Sequence, residues 1–300
     1  MGKYIVILGA RGFIGQETVR FLLQKRMDLF LIARHAGCVE GIPVHPVNLE
    51  RKGALRQALR RRHIRALVYL SASIPQRIED ANRRIYARNM AMHEEVLSSW
   101  RALGCQLVYA SSGSVYTADT QLPWREDAFV VPDNWYSFSK LAGELFFLKE
   151  QSSLKYPLTI LRLNAPYGYR KEHKSVVNIF IEQALAQKPI TVFGSGKREQ
   201  DFLYVGDAAH AIWRAIQAAQ TGIFNIASGR SVSMNKLALM IKALTKSSSR
   251  MIIGKTFDPL ESQRVIFNVR KAHRVLGFSA QSSLKEGLRE CIKRYNEETR

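Results

Sequence analysis

Short apolar, strand-like runs recur along the chain at Tyr4–Leu8, Leu29–Ile32, Ala66–Leu70, Gln106–Ala110, Leu158–Leu163 and Ile223–Ile226. Between them, helical periodicity covers Gly15–Arg26, Leu55–Arg62, Arg84–Leu103, Trp135–Gln151 and Val176–Gln187. Strands that are apolar throughout, rather than on alternate residues, are those buried on both faces, so the pattern predicts an α/β fold with a doubly wound parallel sheet. After Leu163 the rhythm changes. Segments rich in Pro, Gly and Ser, such as Pro166–Lys174 and Phe193–Gly196, predict loops and small elements gathered into a second, smaller C-terminal lobe over the strand ends. The expected division is residues 1–163 with 200–228 for the sheet domain, and 164–199 with 229–300 for the lobe. Ligands of such sheets bind where the loops gather, outside the carboxyl ends of the strands. No internal repeat interrupts this plan.

Composition narrows the picture. Three hundred residues with 46% hydrophobic content are enough for a large core. No apolar stretch approaches the roughly 18 to 20 residues of a membrane span, and the chain begins on a strand, so a cytoplasmic protein is expected. Cys38, Cys105 and Cys291 are odd in number and widely spaced, which predicts neither a disulfide framework nor a metal knuckle. The formal net charge of +20 asks for an anionic partner. Its densest run, Arg56 to Arg65, lacks interleaved aromatic residues, so it reads as a solvated basic face, with nucleic-acid binding a secondary reading.

Three segments carry candidate chemistry. Gly9 to Gly15 (GARGFIG) follows the first strand and precedes the first helix, the order that a dinucleotide pyrophosphate requires: glycines admit the phosphate to the backbone, and the helix start offers free N–H groups. The turn includes Arg11, Gly12, Phe13 and Ile14. Tyr136 and Lys140 stand four apart near the start of a helix, hence on one face, where an ammonium favours the phenolate of a tyrosine whose ordinary pKa is about 10. Ser111 and Ser112 close the strand Gln106–Ala110, at the sheet end where the glycine turn also lies; as hydroxyls they are either turn-formers or donors to a substrate oxygen.

With these elements in this order, the chain resembles the extended short-chain dehydrogenase/reductase superfamily, in its nucleotide-sugar epimerase/dehydratase branch. The resemblance covers nearly the whole sequence. GARGFIG is similar to the family's GxxGxxG turn, Leu70-Ser71-Ala72-Ser73 to its segment beneath the nicotinamide ribose, and Asn89 to a structural and relay asparagine. SSGSVY (Ser111–Tyr116) and YSFSK (Tyr136–Lys140) correspond to the catalytic segments; LRLNAPYG (Leu161–Gly168), QDFLYVGDAA (Gln200–Ala209), FNIASGRSVSM (Phe224–Met234) and LGF (Leu276–Phe278) match later ones. The resemblance implies a Rossmann-type domain with a substrate-binding lobe and a Ser112, Tyr136, Lys140 catalytic set. It implies substrate contacts from Ser73, Ser112, Ser114 and Asn164. Two departures stand out: Ala165 replaces a family asparagine and Gln200 a family arginine, leaving Lys197, Arg198 and Arg264 as candidate replacements for the missing charge.

At the end of the second strand Ala33 stands where an NAD enzyme would place a carboxylate, and Arg34 follows. With Arg11 near the same ribose, this predicts NADP in preference to NAD. Asn48, with Leu49, resembles the family's adenine-contacting pair. No metal is expected. The resemblance implies an oxidoreductase acting on a nucleotide-activated sugar, a 4-ketoreductase or epimerase; dehydration is disfavoured because Gly113-Ser114 replaces the family's Asp-Glu. Alternatives are a reductase of a non-nucleotide carbonyl compound, or a basic RNA-binding member of the same fold. A homodimer is expected through Arg84–Leu103 and Trp135–Gln151, with Met90, Val96, Leu97, Phe146, Phe147 and Leu148 as the apolar surface or, equally, as core.

Overall fold

A computed structural model describes residues 3–75, 80–117, 119–170, 175–258 and 260–298. Strands β1 (Tyr4–Leu8), β2 (Leu29–Ala33), β3 (Gly37–Val39), β4 (Ile42–Pro46), β5 (Ile64–Tyr69), β6 (Gln106–Ser112) and β7 (Leu158–Leu163) are followed in the lobe by β8 (Pro166–Tyr167), β9 (Ile190–Val192), β10 (Glu199–Asp201) and β11 (Leu203–Tyr204). β12 (Gly222–Ile226), β13 (Ser231–Ser233) and β14 (Met251–Ile253) complete them. Helices α1 (Phe13–Gln24), α2 (Ala54–Ala58), α3 (Arg83–Leu103), α4 (Trp135–Leu154), α5 (Val176–Leu185), α6 (Val205–Ala218), α7 (Met234–Leu244) and α8 (Leu284–Glu298) lie among them.

The main sheet has the order β12-β7-β6-β5-β1-β2-β4-β3 and is parallel except for its β3–β4 edge. Its central strands are buried on both faces, as their predominantly apolar sequences require, whereas the edge strands β3 and β4 are largely exposed. Ile5, Ile7, Leu31 and Val68 face one core with Val19 and Leu22 of α1 and Ile212 and Ile216 of α6. Val6, Leu8, Ile32 and Leu67 face the other, with Leu55 of α2, Val96 and Trp100 of α3, and Phe147 of α4. The chain leaves β1 toward β2 on one side and returns to β5 on the other. The β1/β5 carboxyl ends therefore form the switch point where a crevice opens.

The lobe has its own core, in which Val177 and Ile181 of α5, Leu237 and Ile241 of α7, and Leu288 and Cys291 of α8 pack on Ile190 and Val192. Ala272, Leu276 and Phe278, from the stretch allotted to the lobe, pack instead in the first sheet core against α6. The expected loop Pro166–Lys174 contains the short strand β8; its last four positions lie outside the described residues. Among the described residues, no helix is long and apolar enough to cross a membrane.

Several expectations are corrected. α2 ends at Ala58 rather than Arg62, because Leu55 and Leu59 are anchored in the core and the chain must turn at once into β5, with Arg61 at a φ of 63°. β6 continues two residues past Ala110, since β7 offers Arg162 and Leu163 as pairing partners for Ser111 and Ser112. Val96, Leu97 and Phe147, offered for a subunit surface, are core residues within the chain. The basic run is solvated: Arg56, Arg60, Arg61 and Arg62 are exposed. It lies at the amino ends of the strands, where Lys3 and Tyr4 donate to His63 O, and so opposite the crevice. Its cations follow the end of α2, as Lys25 and Arg26 follow α1, where positive charge complements the helix dipole.

Candidate active site

The glycine turn leaves β1 at the switch point. Gly9 has a φ of 94°, and a Cβ there would stand 2.9 Å from Ser71 N. A Cβ on Gly15 would stand 2.1 Å from Gly9 O. Both positions exclude a side chain, one by backbone conformation and contact, the other by contact alone. Gly12 caps α1 without a side chain, and the first turn of α1 carries no acidic residue. Bare N–H groups and an unopposed dipole end fit a pyrophosphate. Phe13 and Ile14 open the helix, both partly buried. Leu70 N donates to Leu8 O at 2.9 Å, which seats the Leu70–Ser73 segment beside the turn.

Asn89 of α3, 1% exposed, binds this segment to α4. Its Oδ1 accepts from Ser73 N at 2.7 Å, and its Nδ2 donates to Ser73 O at 3.2 Å and to Ser139 Oγ at 2.8 Å. Ser139 Oγ in turn donates to Tyr136 O at 2.7 Å. Ala72 lies within the same strap, partly buried.

Asn134 caps α4, its Oδ1 accepting from Ser137 N at 3.0 Å, and sets Tyr136 and Lys140 on the face turned to β6. Tyr136 lies close to Ser112 at the end of β6, near enough for the two hydroxyls to interact. Lys140, 4% exposed, donates from Nζ to Ala110 O at 2.8 Å, with Nζ 5.1 Å from the Tyr109 ring centroid and 6.0 Å from that of Tyr136. The structure thus brings Ser112, Tyr136 and Lys140 together. Burial pushes the Tyr136 phenol up to about 12, with Ser112 opposing. Burial also lowers Lys140 to about 8, with Glu144 opposing. The expected lowering of the tyrosine by the lysine is not among the causes of this shift, which burial dominates.

Behind these residues lies a charged network that sequence reading missed. Glu144, one turn beyond Lys140 and 0% exposed, accepts from Arg162 Nε at 3.0 Å and Nη2 at 2.7 Å, and from Ser111 Oγ. Arg162 Nη1 donates to Tyr116 Oη at 2.8 Å, which lies 2.8 Å from Asn225 Oδ1. Tyr136, Lys140 and Glu144 repeat at i, i+4, i+8, a stripe legible in the sequence. His93 is a second omission. Its Nε2 lies 3.1 Å from Ser139 O and its Nδ1 2.9 Å from Tyr69 Oη, so the neutral ring donates to the carbonyl and accepts from the phenol. Burial lowers its pKa to about 3.

The remaining candidates divide. Ser114 Oγ is buried without a hydrogen-bond partner, beside Ser112, whose Oγ accepts from Ser114 N at 3.1 Å. Asn164 is engaged inside the protein: Nδ2 donates to Asp201 O at 2.6 Å and Oδ1 accepts from Gln200 Nε2 at 3.4 Å. Ala165 sits at a φ of 37°, a region that an asparagine tolerates better than alanine. Lys197 is exposed, Arg198 pairs with Asp258 at 3.0 Å, and Arg264 pairs with Glu199 at 2.8 Å on the surface. None of these three is held against the Tyr136 cluster.

At the adenosine end, Arg11 Nη1 donates to Ala36 O at 2.8 Å, tying the glycine turn to the loop after β2. Arg34 does not stand alone as expected: it pairs with Glu50, which Arg88 of α3 also holds at 2.9 Å. Asn48 Oδ1 accepts from Glu50 N at 3.1 Å, and Leu49 is buried beneath. Among the described residues no cluster of His, Cys, Asp and Glu has the size of a metal site.

Comparison with known proteins shows what the chain and its fold are similar to. A dTDP-4-dehydro-6-deoxyglucose reductase of Escherichia coli is 23% identical over 312 residues, 96% of this chain and 96% of that one. The structure superposes on UDP-glucose 4-epimerase of Thermotoga maritima, solved with UDP-glucose, with a TM-score of 0.90 over 99% of this chain and 100% of that one, at 22% identity. It also superposes on the Thermus thermophilus UDP-glucose 4-epimerase complex with NAD, with a TM-score of 0.85 over 98% and 99% of the chains, at 22% identity. The model of the NAD dependent epimerase/dehydratase family matches residues 5–227, and the chain belongs to that family.

Proposed function

We propose that the protein is an NAD-dependent epimerase of a nucleotide-activated sugar, acting at a carbinol carbon of the hexose. The observation that carries this reading is the approach of Tyr136 to Ser112, with Lys140 buried beside them, at the carboxyl end of the strand next to the glycine crevice. Relatives named for UDP- and dTDP-sugars, and a structural neighbour in complex with NAD, support the substrate class and cofactor. The NADP preference expected from Arg34 is not retained, because the Glu50 carboxylate offsets that charge.

The glycine turn Gly9–Gly15 and the Leu70–Ser73 strap would hold a nicotinamide dinucleotide, which would supply reversible hydride transfer at the sugar carbon. Tyr136 Oη removes the hydroxyl proton of the reacting carbon and later returns it to the same oxygen. Ser112 Oγ hydrogen-bonds that oxygen, and the Lys140 ammonium favours the phenolate. Asn89 keeps α4 and the Ser71–Ser73 strap in register, which fixes where the tyrosine stands relative to the cofactor segment. Elimination is disfavoured by space as well as by residue type: a Cβ on Gly113 would stand 2.5 Å from the Phe267 ring, leaving no room for a carboxylate. We place the pairing of two copies on α4 at Phe138 and Leu145, 43% and 60% exposed, instead of the buried residues first considered.

Denaturing the purified protein and identifying the released nucleotide, followed by titration with UDP, dTDP, GDP and CDP, tests the reading. The expected result is NAD, with one diphosphate bound well above the others. Binding of none of the four would instead favour a non-nucleotide carbonyl substrate.

A further inference from the structure

We propose that Glu50 selects between the two nicotinamide dinucleotides. The inference rests on the proposed cofactor crevice and concerns its adenosine end. Folds of this type usually place an acidic residue at the end of the second strand, about 20 residues beyond the glycine turn, where it takes the ribose hydroxyls and repels a 2′-phosphate. Here that strand ends in Ala33 and Arg34. The carboxylate comes from the neighbouring loop.

The topology makes this substitution possible. β4 runs parallel to β2, with Ala33 opposite Pro46 and Val47 N donating to Ala33 O at 2.8 Å, so the loops that follow the two strands leave the sheet side by side. Glu50 therefore meets Arg34 across a single strand spacing. Arg88 of α3 fastens it from the other side, with Nε at 3.1 Å and Nη2 at 2.9 Å. All of these N–H groups fall on Oε1; among the described residues none reaches Oε2, which stays open as an acceptor. The guanidinium hydrogen bonds and charges hold the Glu50 carboxyl below the usual carboxylate range, so it is ionised near neutral pH.

Two consequences follow for a ribose at this end. The 2′-hydroxyl finds an acceptor, whereas a 2′-phosphate finds an anion and an arginine already paired. Arg34 by itself would favour NADP; paired with Glu50 it does not. The specificity is thus read from a pair of loops, and the residue that sets it lies far downstream of the position at which the second strand ends.

Equilibrium titration of the full chain with NADH and with NADPH, followed by nicotinamide fluorescence, tests the proposal in Glu50→Gln and Arg88→Gln. The unmodified protein is expected to bind NADH more tightly. Glu50→Gln is expected to shift the ratio of the two dissociation constants toward NADPH by about tenfold or more. Arg88→Gln, which leaves Glu50 less neutralised, is expected to shift it the other way. Circular dichroism reports that each variant is folded. A ratio unchanged in Glu50→Gln overturns the proposal, as does an equal weakening of both dinucleotides in both variants, which marks Glu50 as merely structural. An unmodified protein that binds neither dinucleotide overturns the cofactor crevice itself, and the selection with it.

Discussion

Tyr136→Phe is expected to lower turnover by about 10² to 10⁴ while leaving dinucleotide binding within a small factor of the unmodified protein. The substitution removes only the oxygen that contacts Ser112, and the ring keeps its place on α4. No other side chain stands ready to take over: Tyr109 is fully buried with its hydroxyl 3.4 Å from Lys140 O, and burial raises its pKa well above that of Tyr136's ordinary range. Steady-state rates alongside NADH titration separate the proton-transfer role from a binding role. A variant with full turnover would show that Tyr136 carries no proton.

The site's geometry was legible where it depended on local spacing and illegible where it depended on how loops and helices meet. Gly9, Gly12 and Gly15 announce a phosphate turn because strand, turn and helix are contiguous, and the structure keeps them so. Tyr136 and Lys140 share a face because the helix period demands it. Glu50 and Arg88, by contrast, come from different loops and helices, and nothing in their local sequence ties them to Arg34. The NADP preference drawn from Arg34 is not shown by the relatives, which point to NAD, and it counts a charge without its partner Glu50. Helices α7 and α8 of the lobe, and α6 on the sheet, are harder to read although Ala208, Ile212, Ala215 and Ile216 keep a helical period, because their Gly-, Ser- and Pro-rich neighbours point to loops. The central strands of the main sheet were the easiest part, since burial on both faces makes them predominantly apolar, whereas β3 and β4 at the exposed edge carry no such run.

Arg162→Met is the second large effect, and it acts on stability. Arg162 and Glu144 have side chains 3% and 1% exposed, and their ion pair stands between β7 and α4. Removing the guanidinium leaves an ionised carboxylate in the core with Ser111 as its remaining donor. Stranding a buried charge in this way costs about 3 to 5 kcal/mol, a large share of a total near 5 to 15 kcal/mol. Glu144→Leu combined with Arg162→Met removes both charges and is expected to recover much of the loss. Urea unfolding monitored by circular dichroism gives both values. A loss below about 1 kcal/mol in the single variant would mean that water or a rearranged partner satisfies Glu144. Because Ser111 adjoins Ser112 and Glu144 lies one turn from Lys140, the same pair also ties the end of β6 to the part of α4 that carries Tyr136 and Lys140.

The central claim is that Ser112, Tyr136 and Lys140 act together on the sugar of a nucleotide sugar. The most direct measurement is proton NMR of UDP- and dTDP-hexoses incubated with the protein and NAD, with the Tyr136→Phe variant in parallel. The account predicts that at least one of these sugars is inverted at a single ring carbon and that the variant is slower by about 10² or more. Failure to convert any of them, or conversion at the same rate without the Tyr136 hydroxyl, would contradict it.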